Sequence, residues 1–130
     1  MNSMLEPLLD RGEQNLCPVY GVFKSTSFFA SNYMIYPAYI TCTNFNRLIV
    51  CRYYLTANDW SRESYILLSA QKLKVKKTLL GQYLCQAEFI VGGKKERLKF
   101  QISPNILGKK FPDQYNNTQM LISLLETFER

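Results

Sequence analysis

Three features of the sequence predict a mostly β chain with one C-terminal α-helix: seven strands in a β-sandwich or partly open barrel, capped by the helix. Residues 36 to 55 read as two strands joined by a tight Asn44-Phe45-Asn46 turn. Residues 71 to 102 read as a three-strand meander with turns at Gly81 and Gly92-Gly93. Leu121, Leu124, Leu125 and Phe128 fall at i, i+3, i+4 and i+7, the apolar stripe of an amphipathic helix. With 130 residues the chain has the size of one domain, and a chain of this length buries about two thirds of its unfolded surface. No internal repeat, low-complexity stretch or linker divides it. A single domain over residues 1 to 130 is expected, with a short helix or strap at 3–10, a β core at 16–102 and a capping helix at about 113–129.

Residues 3 to 10 carry Leu5, Leu8 and Leu9 as anchors, Ser3 as an N-cap and Gly12 as a stop. Leu16 to Lys24 reads as the first strand; Pro18 suits a strand start or an edge, and Gly21 a close backbone approach. Ser25 to Tyr36 mixes Phe28, Phe29, Tyr33, Met34, Ile35 and Tyr36 with serines and Asn32. It reads as a loop tucked on the core, as a longer hairpin arm, or, in the sharper reading, as an exposed apolar tip that inserts into a membrane or partner. In the central hairpin, Tyr39, Thr41 and Thr43 alternate with Ala38, Ile40 and Cys42, the period of a strand with one face in a core. Asn44 and Asn46 suit the turn because asparagine tolerates positive φ and bonds its own backbone.

From Arg47 to Leu55 both sides are apolar: Ile49, Cys51, Tyr53 and Leu55 on one, Leu48, Val50, Arg52 and Tyr54 on the other. Such a strand is usually covered on both faces. A second chain would supply that cover in a domain this small, or the residues simply favour strands. Thr56 to Glu63 reads as a polar connection holding Trp60, and Ser64 to Ala70 as a short fourth strand. In the meander, Lys72, Lys74 and Lys76 alternate with Leu73, Val75 and Lys77, Gln86 and Glu88 oppose Tyr83, Cys85, Ala87 and Phe89, and Arg97, Lys99 and Gln101 oppose Leu98, Phe100 and Ile102. Asp113, Asn116 and Asn117 are candidate N-caps for the helix.

Charge and chemistry narrow the function. The net charge is +6, but residues 72 to 110 hold ten of the sixteen basic side chains and only Glu88 and Glu96 of the acids, a local +8 against −2 elsewhere. An excess of that kind attracts phosphate, nucleic acid or an anionic membrane surface. Neighbouring strands place same-face residues ~5 Å apart, so Lys72, Lys74 and Lys76 would face Gln86 and Glu88, and these Arg97 and Lys99. This set is a candidate anion-binding face. Its plain counterpart is a solvated sheet face whose lysines discourage edge pairing. Nucleic acid is disfavoured, because base stacking needs aromatics interleaved with the lysines, and Tyr83 and Phe89 point the other way. Tyr39, Arg52 and Tyr54, with Phe28 and Phe29, are the candidate protein interface, since tyrosine and arginine are enriched at interface centres.

No catalytic chemistry is visible. The sequence has no histidine, which removes the serine–histidine and cysteine–histidine arrangements and most zinc sites. Cys17, Cys42, Cys51 and Cys85 are scattered and read as free core thiols. Asp59 and Glu63 stand without a second carboxylate pair, and Gly92-Gly93 lies between strands, away from any helix N-terminus that would hold a phosphate. No cofactor or metal is expected, and no enzyme. No apolar run reaches the ~18 residues of a membrane span, and Met1 to Asp10 lack the basic cluster of a signal peptide. The expected place is cytoplasmic, with a membrane-peripheral position as the alternative. The expected partner is a protein or a second copy of the chain, and otherwise an anionic lipid.

The order of elements resembles the pleckstrin-homology-like superfold, especially its bacterial PH-like and GRAM-like members. Tyr39-Ile-Thr-Cys-Thr-Asn-Phe-Asn-Arg-Leu-Ile-Val is similar to that family's T-x-x-R-L strand–turn–strand, with three residues rather than two between Thr43 and Arg47. Lys74-Val-Lys-Lys-Thr-Leu-Leu-Gly81 and the closing Leu124-Leu125 helix are further likenesses, and the resemblance spans about residues 16 to 129. It implies a sandwich scaffold plugged at one end by the helix, with binding or assembly roles. Members that bind inositol lipids carry a basic cluster on the first two strands and the loop between them. Here that region has Lys24 alone, followed by Phe28, Phe29 and Tyr33.

Overall fold

The computed structural model describes residues 9–25, 34–54, 59–105 and 113–129, with the backbone alone at 24–25, 34–36, 54 and 59–61. Seven antiparallel strands form one sheet: β1 (Val19–Ser25), β2 (Met34–Cys42), β3 (Arg47–Tyr54), β4 (Asp59–Ile66), β5 (Lys72–Lys77), β6 (Tyr83–Val91) and β7 (Lys94–Ile102). One helix, α1 (Gln114–Glu126), follows. The strand order is β4-β3-β2-β1-β7-β6-β5, so β4 and β5 are the two edges. The architecture is the expected sandwich or partly open barrel with a helical cap. The strap at 3–10 and the aromatics Phe28, Phe29 and Tyr33 lie outside the described residues, apart from Leu9 and Asp10.

Turn chemistry sets the register. Asn46 takes φ 59°, and the Thr43 N–H donates to the Arg47 carbonyl at 2.9 Å, which closes the β2–β3 hairpin. Gly92 and Gly93 both have positive φ and join β6 to β7 with no loop residue beyond them, as a two-residue hairpin requires. From these turns Ile40 comes to pair with Val50, and Cys85 with Phe100.

The sheet curls so that one face lines a single core. Its buried members include Phe23 of β1, Ile40 of β2, Leu48 and Val50 of β3, Tyr65 of β4, Leu73 of β5, Phe89 of β6 and Phe100 of β7. Burial of one such side chain stabilises by about 1.5–3 kcal/mol. The curl is direct to see in two contacts. The Tyr65 and Phe89 rings lie 5.0 Å apart between centroids, and the Tyr65 hydroxyl donates to Glu96 of β7, although three strands lie between β4 and β7 in the sheet.

α1 closes one open end. Leu121, Ile122 and Leu125 are buried, with Leu124 and Phe128 packed against the same cluster. The stripe is wider than the spacing implies, because Ile122 joins it and polar Gln114 starts it. Gln114 is 3% exposed: its amide donates to the carbonyls of Tyr20 (2.9 Å) and Ser103 (3.0 Å) and accepts from the Tyr20 N–H (2.9 Å). Asn117 donates to the Pro18 carbonyl at 3.0 Å. The helix is thereby bonded to the start of β1 as well as packed on it. Asp113 occupies the N-cap position without a side-chain capping bond.

Three expectations need correction. β1 begins at Val19 rather than Leu16, because the Cys17 N–H turns to the Thr41 hydroxyl (3.2 Å). β4 begins at Asp59, five residues before the expected Ser64, and takes Trp60 into register with Tyr53. As an edge strand with polar residues it lacks the apolar alternation that marks a strand. Residues 67 to 69 leave the strand as a single 3-10 turn. Finally, no second chain is needed over β3. Ile49 and Cys51, on the face away from the core cluster, are fully buried within the one chain, as are Leu48 and Val50.

Candidate anion-binding face

Successive residues in a strand point to opposite faces, so β5, β6 and β7 turn Leu73, Cys85, Ala87, Phe89, Leu98, Phe100 and Ile102 inward and most of their charges outward, together with Leu84 and Ile90. Registers then stack the outward residues in three rows. Lys72 faces Glu88, which faces Arg97. Lys74 faces Gln86, which faces Lys99, and the register continues to Lys24 of β1. Lys76 faces Leu84, which faces Gln101. All five cations singled out from the sequence therefore share one face.

The rows are electrostatically unequal. Glu88 accepts from Arg97 Nε at 3.3 Å and lies 3.6 Å from Lys95 Nζ, so the first row is partly neutralised. Among the described residues no carboxylate lies within ion-pair distance of Lys72, Lys74, Lys76 or Lys77. In the second row the residue between the two lysines is an uncharged amide. In the third, Gln101 donates to Gln82 instead of meeting an acid. Lys77, of opposite parity, sets its ammonium 5.8 Å from the centroid of the Tyr83 ring, a cation–π contact. The uncompensated positive charge is therefore greatest in the second row, and Lys76 and Lys77 carry it on to the end of β5.

Two ionic clusters elsewhere are structural. Arg47, at the start of β3, donates through Nε to Glu13 at 2.8 Å and also through its terminal nitrogen, with Asp10 3.8 Å away. Thr43 donates to the same Glu13 carboxylate, and the Asp10 N–H caps it at 2.9 Å. The Arg47 bonds, aided by Thr43 and the Asp10 amide, outweigh desolvation and hold the Glu13 carboxyl down at about 2; the same pair pushes Arg47 up. At the inner mouth, Arg52 pairs with Glu63 and lies 5.0 Å over the Phe23 ring. Tyr65 donates to Glu63 and Glu96; burial first, then these carboxylates, drive its hydroxyl far above the ordinary tyrosine value.

These placements redistribute the residues expected at a protein interface. Arg52 turns inward and belongs to the closure of the barrel. Tyr39 lies on the outer face, edge-on to Tyr20 at 5.7 Å, with its hydroxyl shifted upward by burial. Tyr54 is placed by its backbone only, opposite Asp59, and Phe28 and Phe29 lie outside the described residues. Of the described side chains, Tyr39 on the outer face and Arg52 on the inner one do not share a patch. Sequence reasoning missed both ionic clusters, because their partners are 34 and 11 residues apart. It also missed Leu79 and Leu80, whose exposure only the turn geometry reveals. Among the described residues no group of acidic, cysteine or histidine side chains could hold a metal, all four cysteines are free and buried, and no helix is long and apolar enough to cross a membrane.

No protein-family model matches this sequence, and no curated protein matches it significantly. Among solved structures the chain is similar to the hSac2 domain from human phosphoinositide phosphatase Sac2, with a TM-score of 0.59 and 12% identity over 97% of this chain and 76% of that one. At that identity the likeness is one of fold.

Proposed function

We propose that this protein is a non-catalytic binding domain whose meander face takes a phosphate-bearing anionic ligand. The carrying observation is the row Lys74–Gln86–Lys99, three neighbouring strands in register without a carboxylate among them. Buried ion pairs elsewhere in the molecule show that this chain places an acid beside a base where it closes structure. Lysines left without one are available to a ligand. The similar fold in a domain from a phosphoinositide phosphatase is compatible with such a ligand, and the pleckstrin-homology-like kinship read from the sequence belongs to the same proposal. Self-association, the other reading, has lost its main argument, since β3 is covered by its own chain and Arg52 is engaged with Glu63.

The test uses inositol hexakisphosphate as a soluble probe in titration calorimetry. Binding should be clear when the Debye length is ~30 Å and weaken at the ~8 Å of physiological salt. The pair Lys74→Glu and Lys99→Glu should abolish it while leaving thermal unfolding unchanged. Absence of binding at low salt, or binding indifferent to both reversals, defeats the proposal.

A further inference from the structure

The β5–β6 turn presents two leucines side by side with nothing over them. Leu79 and Leu80 are 107% and 87% exposed, the most exposed large apolar side chains among the described residues. Isolated surface leucines are ordinary; an adjacent pair at the apex of a hairpin is not. The turn also prevents them from folding back. The Gly81 N–H donates to the Thr78 carbonyl at 3.0 Å, the Thr78 N–H to the Gln82 carbonyl at 2.7 Å, and the Gln82 N–H to the Thr78 hydroxyl at 3.2 Å. Gly81 supplies the left-handed residue, φ 82°, that this tight turn needs, and its Cα faces open space. The apex is therefore a closed tight turn that is convex and apolar.

Cations flank it. Lys76 and Lys77 precede Thr78 and, by strand alternation, leave the ribbon on opposite sides. Lys74 stands one pleat behind Lys76 on the same face. With ~3.3 Å of rise per residue along β5, Lys74 lies about 7 Å behind Lys76 and Lys72 about 13 Å, and Lys77 is separated from Leu79 only by Thr78 of the turn. The polar zone of one leaflet is about 5–7 Å deep, the difference between the whole bilayer and its hydrocarbon core. A leucine seated in the acyl boundary thus places the reach of Lys76 and Lys77 among the headgroups, and leaves Lys72 more than a Debye length away at ~8 Å.

We infer that the Leu79-Leu80 apex is a wedge that enters an anionic lipid bilayer, with Lys76 and Lys77 at the headgroups and Lys74 behind them. The inference rests on the anion-binding reading and names its ligand source. A bilayer fits the apex better than a protein groove does. Lysine is depleted and leucine under-represented at the energetic centres of protein interfaces, whereas long lysine stems suit a membrane boundary.

The test is co-sedimentation of the full chain with vesicles of phosphatidylcholine and phosphatidylserine, beside vesicles of phosphatidylcholine alone. Hexakisphosphate titration runs in parallel. The double variant Leu79→Ser, Leu80→Ser should lose roughly tenfold in vesicle affinity per leucine, while keeping its hexakisphosphate affinity and its unfolding temperature. Unchanged vesicle partition in the serine variant overturns the inference and leaves the anion-binding face standing. The same holds if the wild type binds hexakisphosphate but no vesicle. A wild type that binds neither overturns both. If the serine substitutions change the mass in solution and not the partition, the apex meets a second copy of the chain, and the wedge is wrong.

Discussion

β1–β4 and β5–β7 are neighbours in one sheet and share an inner face, yet their outer faces are opposites. On the first, Thr41, Ile49 and Cys51 are buried; Glu13 is locked to Arg47 beside the β2–β3 turn, and on the inner side of the same half Arg52 is locked to Glu63. On the second, the outward residues are lysines, an arginine and amides beside the apolar Leu84 and Ile90, and Glu88 is the acid that partly offsets the cations. The difference teaches where this molecule uses charge to hold itself and where it displays charge to something else. Ion pairs with an enclosed partner depend on geometry; an unpaired row on a wet face has little structural value and costs little to change.

The largest expected effect lies in the first half. Glu13→Ala should destabilise the fold by about 3 kcal/mol at neutral pH, since it removes the carboxylate that accepts from both Arg47 and the Thr43 hydroxyl. Chemical denaturation measures this, and vesicle or hexakisphosphate affinity should not move. The pH dependence has a definite sign. The folded-state value of Glu13, about 2, lies below the ordinary 4.5. The carboxylate's contribution is therefore complete above about pH 4.5 and is lost as pH falls from 4.5 to 2. The wild type and Glu13→Gln should converge in stability across that window. A constant gap down to pH 2 would show that the clasp is not ionic.

Next is the seam. β1 joins the halves through its pairing with β7 at Val22–Gln101, Phe23–Phe100 and Lys24–Lys99. Gly21 lies just before it, and a Cβ there would stand 2.8 Å from the Gln101 carbonyl oxygen and 3.3 Å from Ile102 Cγ1. The obstacle is backbone, so Gly21→Ala should cost about 2 kcal/mol, read by thermal unfolding. Both halves share one core, and a single cooperative transition should persist. Two separated transitions would mean that the halves fold independently.

Legibility follows the same division. The meander and its register were readable because alternation on a half-wet strand is a two-letter pattern and the glycine turns fix the phase. The anionic gap at Lys74 and Lys76 followed from that register. β4 was readable only in its second half: Glu63 is an inward residue that is charged, and its partner Arg52 comes from another strand, so hydrophobic pattern fails at both. The Glu13–Arg47 clasp joins segments 34 residues apart, which no local pattern reports. Leu79 and Leu80 were in view as letters, but their exposure depends on Gly81 and the three turn bonds. The helix was legible in its stripe, although Gln114, buried and bonded at both amide atoms, looked like an ordinary solvated residue.

In the second half the expected effects concern binding. Lys76→Ala should weaken attachment to phosphatidylserine vesicles by about 1 kcal/mol, the value of one cation at the surface. Stability should stay within about 0.5 kcal/mol of wild type. Co-sedimentation and thermal unfolding on one preparation read both. Loss of stability with unchanged binding would reverse the assignment of the two halves.

The smallest effect separates two ways of docking. Glu88 is in register with Lys72 and Arg97, two pleats from the pair Lys76–Leu84 and further still from the apex. Glu88→Gln releases Arg97 and Lys95 from their acid and raises the charge of the face by one. If the bilayer is met by the apex, that charge sits more than ~8 Å from the headgroups and is screened at physiological salt; the gain in vesicle affinity should stay below about threefold, roughly 0.6 kcal/mol. If the membrane lies flat across β5–β7, the added unit of charge is in contact, and the gain should reach about fivefold, near 1 kcal/mol. Vesicle titration at two salt concentrations separates these, because only the second geometry adds a strong salt dependence. A large, salt-sensitive gain would keep the lysine face as the site and remove the leucine apex from it.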